Sequence, residues 1–325
     1  MALYLKLNSR LTITDPETKQ GVLFQHISEA EINQSVKTIG DTATVIIPRR
    51  YGLIRDKEIL QYIKTGYAVS LELGYNGEYF EEFNGFIREI GSGYPLKLYL
   101  DDAFYKLRKN SFNKSWKSIT LKQLLTVIAD GYKIECPDVS LGAFQIDNQS
   151  SFVVLQRLRE DPYGFYSFLK DNTLYCQFAY DVRGIGEIYT YNFTKNVKKS
   201  DLKFKRKEDF KIRIRAISNL SNGKKIKLEV GNMEKEASIR TFNTRDKTEK
   251  ELRELALKRL DGLVFNGFEG TVTGFGYPRV TAGDTLRLVS PKEPEQNGDY
   301  LTETVTIRYG NAYYERRCGI SYKIK

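Results

Sequence analysis

Apolar and polar residues alternate through most of the first hundred positions. "LYLKLNSRLTITD" and then "FQHISEAEINQSVKTIGDTATVIIPRR" change class at nearly every step, with Ile27, Glu29, Glu31 and Asn33 on one side and Ala30, Ile32 and Val36 mainly on the other. A period of two residues marks a half-buried strand, and Pro48 ends the run because it has no N–H for a ladder. In "DKEILQYIK", residues 56–64, the spacing becomes helical and predicts that Ile59, Leu60 and Ile63 pack inward. Strands resume through Ile90, and "GSGYPLKLYLDDAFYKL" turns at Gly91 to Gly93 and adds another. This pattern predicts one antiparallel β domain over residues 1–100.

The middle of the chain has a different period. "SITLKQLLTVIADGY" puts Leu121, Leu124, Leu125 and Ile128 on one helical face, with Ser118 or Thr120 as cap and Gly131 as stop. "SSFVVLQRLREDPYGFYSFLKDNTLYCQF" predicts a helix carrying Leu155 and Leu158 that ends at Asp161-Pro162, then a hairpin turning at Asp171-Asn172. Residues 101–185 therefore read as a small α+β module. The last section, 186–325, begins with basic strands, turns at Ser221-Asn222-Gly223, and contains one helix over about 247–262. That helix opens on the capping box Thr248-x-x-Glu251, presents Leu252, Leu255, Ala256 and Leu260, and stops at Gly262, after which strands run from Leu263 to the end.

One frame occurs twice. Gly66-x-x-Val69-x-Leu71 precedes Asn76-Gly77-Glu78-Tyr79, and Gly283-x-x-Leu286-x-Leu288 precedes Asn297-Gly298-Asp299-Tyr300. Asn-Gly suits a two-residue hairpin turn whose central residues both need positive φ, so both copies predict the same hairpin.

Composition agrees with a β-rich chain: 41% of the 325 residues are hydrophobic and 13% aromatic, with 22 Tyr and 18 Phe. Cys136, Cys176 and Cys318 form no C-x-x-C spacing and predict free thiols in a reducing cytoplasm. The N-terminus alternates and lacks the pattern of an export signal, and no window predicts a membrane anchor. The net charge of +10 is matched by one stretch, Lys195 to Lys227, with thirteen Lys/Arg against three acidic residues. Lys203, Lys205, Arg206, Lys207, Arg213 and Arg215 could face a protein partner or bind nucleic acid. Phe210, Ile212, Ile214 and Ala216 alternate with Lys211, Arg213 and Arg215, as in a strand with one wet face.

Signals for catalysis are weak. The single histidine, His26, lies in an alternating stretch and reads as structural. Glu81-Glu82 and Asp101-Asp102 are neighbours on strands, so each pair points to opposite faces; solvated surface or turn positions account for them, with Asp101 and Asp102 kept as candidates for a carbohydrate-active enzyme. Tyr163-Gly164-Phe165-Tyr166 reads either as a stacking platform or as core. No nucleophile elbow, P-loop or complete dinucleotide fingerprint occurs, and no catalytic, cofactor or metal residues are assigned.

Four stretches in order resemble the phage tail hub family, which includes the late control proteins of contractile-tailed phages and the hub portion of the type VI secretion spike protein. They are "INQSVKTIGDTATVIIPRR"; "GYAVSLELGYNGEYFEEFNGFIREI"; "TLKQLLTVIADGY" with "SSFVVLQRLREDPYGFYSFLKDNTLYC"; and "FEGTVTGFGYPRVTAGDTLRLVS" with "NGDYLTETVTIRYG". The resemblance implies a mainly β fold with an α+β part: two tail-tube-like antiparallel β-barrels, 1–100 and 186–325, joined through the module at 101–185. It further implies a homotrimer whose six similar barrels form a pseudo-sixfold ring between the tail tube and the tail tip or spike. The implied partners are a tail tube protein, a spike or tail tip protein and a tape measure protein. DNA would pass through the lumen of a virion tail assembled in the bacterial cytoplasm. The candidate assembly residues are Val69, Leu71, Phe86, Ile90, Leu286, Leu288, Val305 and Ile307, acting by edge pairing and apolar packing.

Overall fold

In the computed structural model, residues 6–48, 59–93, 95–160, 163–178, 186–220 and 222–324 are described. The first section forms β1 (Leu7–Thr14), β2 (Gly21–Phe24), β3 (Glu29–Ser35), β4 (Thr42–Ile47), helix α1 (Ile59–Tyr62), β5 (Ala68–Tyr75), β6 (Phe80–Ile90) and β7 (Leu96–Asp101). Alternation in the sequence becomes alternation in burial: Leu11, Ile13, Ala30, Ile32, Val45 and Ile47 fill a core while their neighbours face outward. Ile27 is buried as well, because it and His26 lie in the link between β2 and β3 and not in a strand. In α1, Ile59 and the following Ile63 turn inward, whereas Leu60 is exposed. Residues 56–58 of that predicted helix lie outside the described residues.

The middle section contains α2 (Phe104–Lys109), β8 (Phe112–Thr120), α3 (Leu121–Ile128), β9 (Lys133–Glu135), β10 (Ser140–Gln149), α4 (Ser151–Arg159), β11 (Phe165–Lys170) and β12 (Thr173–Phe178). Thr120 caps α3 in a complete capping box with Gln123; Ser118 lies within β8. The predicted hairpin is present at β11–β12, with Asp171 and Asn172 both at positive φ. The helix stop at Asp161-Pro162 lies outside the described residues. The β8–β10 pair has no strong alternation in sequence and went unpredicted; its ladder is broken by several bulges.

The last section forms β13 (Ile188–Asn192), β14 (Val197–Lys205), β15 (Ile212–Asn219), β16 (Lys225–Gly231), β17 (Ser238–Arg245), α5 (Glu249–Leu263), β18 (Gly267–Phe275), β19 (Thr285–Val289), β20 (Gly298–Gly310) and β21 (Tyr313–Ile324). Thirteen strands share one sheet, through which the ladders run β14-β18-β21-β20-β3-β4-β7-β6-β5-β1-β2, with β19 also on β20 and β13 on β19. The order β3-β4-β7-β6-β5-β1 is thus repeated as β14-β18-β21-β20-β19-β13. One direction differs: β1 is antiparallel to β5, whereas β13 is parallel to β19.

The repeat extends to single atoms. Gly66 and Gly283 have φ of 92° and 94°, values that cost any residue with a Cβ. The Gly66 N–H donates to Ile87 O at 2.8 Å and the Ile87 N–H to Tyr67 O at 2.9 Å; the Gly283 N–H donates to Thr302 O at 2.8 Å and the Thr302 N–H to Asp284 O at 2.9 Å. Just beyond, the β6–β7 ladder skips Arg88 and the β20–β21 ladder skips Glu303, so both units carry a bulge at the same place. The Asn-Gly pairs do not correspond. Asn76 and Gly77, at φ 54° and 91°, form the predicted tight turn, but Asn297 has φ −65° after a short 3₁₀ turn and Gly298 already pairs with Leu288.

Residues 206–266 interrupt the second unit where the first has the short β3–β4 link. Their strands form a separate sheet, β16-β15-β17. Ile214, Ala216, Leu228, Val230, Phe242, Leu252 and Ala256 share a core with Leu121, Leu124, Leu155 and Leu158 of the middle section. The second unit is therefore built from β13, β14 and β18–β21, and the predicted continuous domain over 186–325 is split. Periodicity shows which face of β15 is buried, not which sheet buries it.

An ion pair deep in the structure links the two units. Glu82 on β6 and Arg316 on β21 are both buried, and an Arg316 Nη2–H donates to Glu82 Oε2. Glu82 Oε1 also accepts from Tyr314 Oη at 2.7 Å and Arg279 Nε at 3.0 Å, while Arg316 donates to Gly276 O at 2.8 Å and Val280 O at 3.1 Å. Burial opposes the Arg316 charge, but Glu82 and Tyr314 more than offset it and raise its pKa. Nearby, Tyr75 on β5 donates to Tyr314 O and accepts from Gly276 N, both at 3.1 Å. Glu82 does not occupy the solvated position expected of it. The β5–β6 ladder slips between Leu71 and Glu72, which turns Glu82 and its neighbour Phe83 both inward.

Asp41 and Asp102 meet at the β3–β4 link. The Asp41 N–H donates to Asp102 Oδ2 at 2.9 Å, and the Asp102 N–H donates to Asp41 O at 3.0 Å. Burial raises the Asp102 carboxyl to about 6, and burial plus the Asp102 charge raises Asp41 well above its usual value.

Three outcomes follow from these packing relations. Glu82→Ala leaves Arg316 buried and unpaired, so it should cost about 3–5 kcal/mol in chemical denaturation; a loss below about 1 kcal/mol would contradict the clamp. Gly283→Ala has room for its Cβ, with Val36 Cγ1 3.6 Å away, so its loss reports backbone strain alone, about 1–2 kcal/mol. The folded-state pKa of Asp102 exceeds its unfolded value, so its contribution to stability is complete below about pH 4 and lost as pH rises through about 6. Carbon-13 NMR of the labelled carboxyl should give a midpoint near the latter value; an ordinary aspartate midpoint would refute the burial argument.

Candidate assembly interface

The junction of the two units within one chain is an antiparallel ladder. Thr304 to Tyr309 of β20 face Ser35 to Ala30 of β3. The Val36 N–H donates to Glu303 O at 3.0 Å, extending the ladder past the end of β3. Cross-strand pairs line its wet face: Arg308 Nε with Glu31 Oε2 at 3.0 Å, the Thr306 hydroxyl with Asn33 Oδ1 at 3.0 Å, and Lys37 with Glu303. Ile32 and Ile307 oppose each other on the core side, each fully buried. The long β20 uses one edge for two partners, β19 at residues 298–301 and β3 at 304–309.

Most side chains expected at an assembly contact lie inside the chain's own core. Val69, Leu71, Leu286, Leu288, Val305 and Ile307 are buried there, Ile90 packs partly against it, and Phe86 stacks on Tyr105 at 5.4 Å. Their strands β5, β6, β19 and β20 each have ladders on both sides. Alternation selected residues that make a core, whereas a docking edge is a matter of backbone groups without a neighbour. Among the described residues, the strands of the large sheet with a ladder on one side only are β2, β13 and β14. Glu89 and Ile90 of β6 likewise pair with β7 alone among the described residues, since the β5 ladder ends at Phe86.

The basic residues divide between two sheets. Lys203 and Lys205 stand on β14, Arg206 and Lys207 lead into a 3₁₀ turn, and Arg213 and Arg215 lie on β15. Acidic partners from elsewhere in the chain take up four of these charges: Lys205 with Glu269 at 3.3 Å, Lys207 with Asp261 at 3.9 Å, and Arg213 and Arg215 with Glu229 at 3.3 and 2.6 Å. Arg215 and Arg213 hold the Glu229 carboxyl below its usual range. The alternation read for β15 is present, with Ile214 and Ala216 buried and Lys211 exposed.

The residues considered for chemistry are engaged with their own chain. Asp101 is buried between Arg88 at 3.1 Å and Arg108 at 3.3 Å, and Asp102 also accepts the Phe104 N–H at 2.9 Å. Tyr163 and Phe165 pack on Phe144 and Phe178. Burial pushes the Cys176 and Cys318 thiols up to about 12. Among the described residues no helix is long and apolar enough to cross a membrane, and no group of His, Cys, Asp or Glu side chains is arranged to hold a metal ion.

Neither a protein-family model nor a curated protein matches the chain. Solved structures do. The 43 kDa tail protein of prophage MuSo2 from Shewanella oneidensis is similar over 97% of this chain and 98% of its own, with a TM-score of 0.63 at 15% identity. A tail protein from Neisseria meningitidis MC58 is similar over 98% and 97%, with a TM-score of 0.61 at 14% identity. The E. coli c3393 protein, a component of the type VI secretion system, is similar over 97% of this chain and 77% of its own, with a TM-score of 0.55 at 8% identity. The repeated strand order, the mainly β content and these matches along nearly the whole chain give this protein the fold of phage tail hub proteins and their type VI secretion relatives.

Proposed function

We propose that this protein is a structural hub of a phage tail or a related injection machine, working without catalysis as a homotrimer that joins the tail tube to the tail tip or spike. The observation that carries this reading is the duplication, with six strands in the same order and the same glycine-anchored hydrogen bonds in each unit. Three chains with two similar units each present six similar positions, which lets a threefold tip meet a sixfold tube. Closed symmetry also gives the strand edges at each seam a partner. The tail proteins from Shewanella and Neisseria support the tail assignment, and structures of a PdpA–VgrG complex from Francisella support contacts with a spike assembly. A tail tube protein and a tape measure protein complete the proposed partners, and DNA would cross the ring through its lumen. The domains proposed are the first unit, the α+β module, and a second unit interrupted by the 206–266 insertion.

Nucleic-acid binding by the basic stretch is the weaker alternative, because acidic side chains of the same chain already neutralise much of it. An enzymatic role for Asp101 and Asp102 would have to free both from the contacts that hold the β3–β4 link.

Light scattering of the purified protein should give the mass of three chains, and images of the particle should show sixfold features in a threefold ring. A single-chain mass together with a tail lacking three copies would overturn the proposal. Duplex DNA should not be retained at moderate ionic strength. Binding that weakens steeply with added salt, the signature of released counterions, would favour the alternative.

A further inference from the structure

The chain contains one solved example of how its two units meet, and the repeat indicates where the same contact is left unmade. Superposing the ladders equates Thr302 with Ile87, Thr304 with Glu89 and Val305 with Ile90, because the bulges at Glu303 and Arg88 coincide. On the other side it equates Ile32 with Leu202, Gln34 with Phe204 and Ser35 with Lys205. Within the chain, β3 lies against β20. Among the described residues its counterpart β14 has no strand on that edge, and the counterpart stretch of β6, residues 88–90, has none either.

From this correspondence, and resting on the trimeric ring just proposed, we infer that a second copy of this chain lays its β6 edge along the open edge of β14, in the register that β20 takes on β3. Lys205 then faces Glu89 of the neighbour, and Phe204 faces its Ile90. The Arg206 N–H takes the place of the Val36 N–H and reaches the carbonyl of the neighbour's Arg88.

Three further observations fit a missing neighbour at this edge. Ile32 is fully buried beneath β20, whereas its counterpart Leu202 is only half-buried and Phe204 is 49% exposed, as expected of core-side residues not yet covered. The charges are complementary: β14 carries Lys198, Lys199, Lys203 and Lys205 against a single Asp201, Glu315 and Glu269 of the same chain stand beside Lys198 and Lys205, and Glu89, exposed on the receiving edge, would be a second carboxylate for Lys205. The two cations that would meet just past the ladder, Lys207 and Arg88, already have carboxylates of their own, Asp261 and Asp101. The contact is heterologous, so it does not cap a dimer and, with a threefold rotation, closes into the proposed ring. Lysines along β14 also guard the free edge against wrong pairing before assembly.

Charge exchange tests the register. Lys205→Glu and Glu89→Lys each put like charges opposite one another and should weaken the trimer at least about tenfold in sedimentation velocity; combining both in one chain should restore it to within about threefold of wild type. Glu269→Gln removes only the in-chain partner of Lys205 and should leave the oligomer unchanged. Phe204→Asp should dissociate the ring while lowering the melting temperature of the monomer only by the loss of its edge contact with Phe268. Glu89→Cys combined with Lys205→Cys should give covalent dimers and trimers on oxidation, which neither single variant gives. A trimer indifferent to both swaps and not cross-linked by the cysteine pair would overturn the seam and leave the ring reading standing. A wild-type protein that stays monomeric at every concentration, in a tail that lacks three copies of it, would overturn both.

Discussion

A β-strand carries hydrogen-bonding groups along both edges, and an edge without a neighbour leaves a row of them to water or to the nearest strand that fits. The architecture of this chain follows from how it meets that constraint at one place, the edge of β20. Because β20 is longer than its counterpart β6, it satisfies β19 with its first residues and still has edge left for β3. One ladder thereby turns a seven-strand unit and a six-strand unit into a single sheet, with a core that holds Leu11 and Ile87 from one unit and Val272 and Leu288 from the other. The buried Glu82–Arg316 pair, with Tyr75 and Tyr314 around it, adds a polar lock to the same joint. A buried pair of this kind adds little net stability over apolar packing, but it allows few alternative arrangements of the groups that satisfy it.

Much of this was legible in the chain. Period-two stretches located most strands of the large sheet, the capping box at Thr248 located the start of α5, and Thr120, one of two cap candidates, that of α3. The repeated glycine frame was the most informative signal, since a residue held at positive φ beside a strand marks a backbone requirement that composition cannot imitate. The Asn-Gly part of the same repeat misled, because that dipeptide favours a turn without enforcing one, and a longer link after β19 removes the need for it at Asn297.

The remaining features depend on partners that are distant in sequence. Glu82 looked like surface because strict alternation assumes an unbroken ladder, and the slip beside Leu71 inverts its face. Membership of β15–β17 and α5 in the core of the middle module was hidden for a similar reason: an amphipathic strand advertises a buried face and not the sheet that covers it. The assembly residues were chosen for hydrophobicity, yet the most hydrophobic strand positions are those that a protomer uses for itself. Residues that serve a neighbour have to be tolerated in water first.

That last point explains the character of β14. Before a neighbour arrives its edge must face solvent, which favours Ser200 and Leu202 where β3 has Ala30 and Ile32, and Lys203 and Lys205 where it has Asn33 and Ser35. The same position in two copies of one fold thus differs according to when its partner becomes available: β3 meets β20 during folding of one chain, and β14 waits for another. Glycine anchors and bulges kept beside a changed edge are what a duplicated unit would show if one copy of the seam became intramolecular while the other stayed between chains.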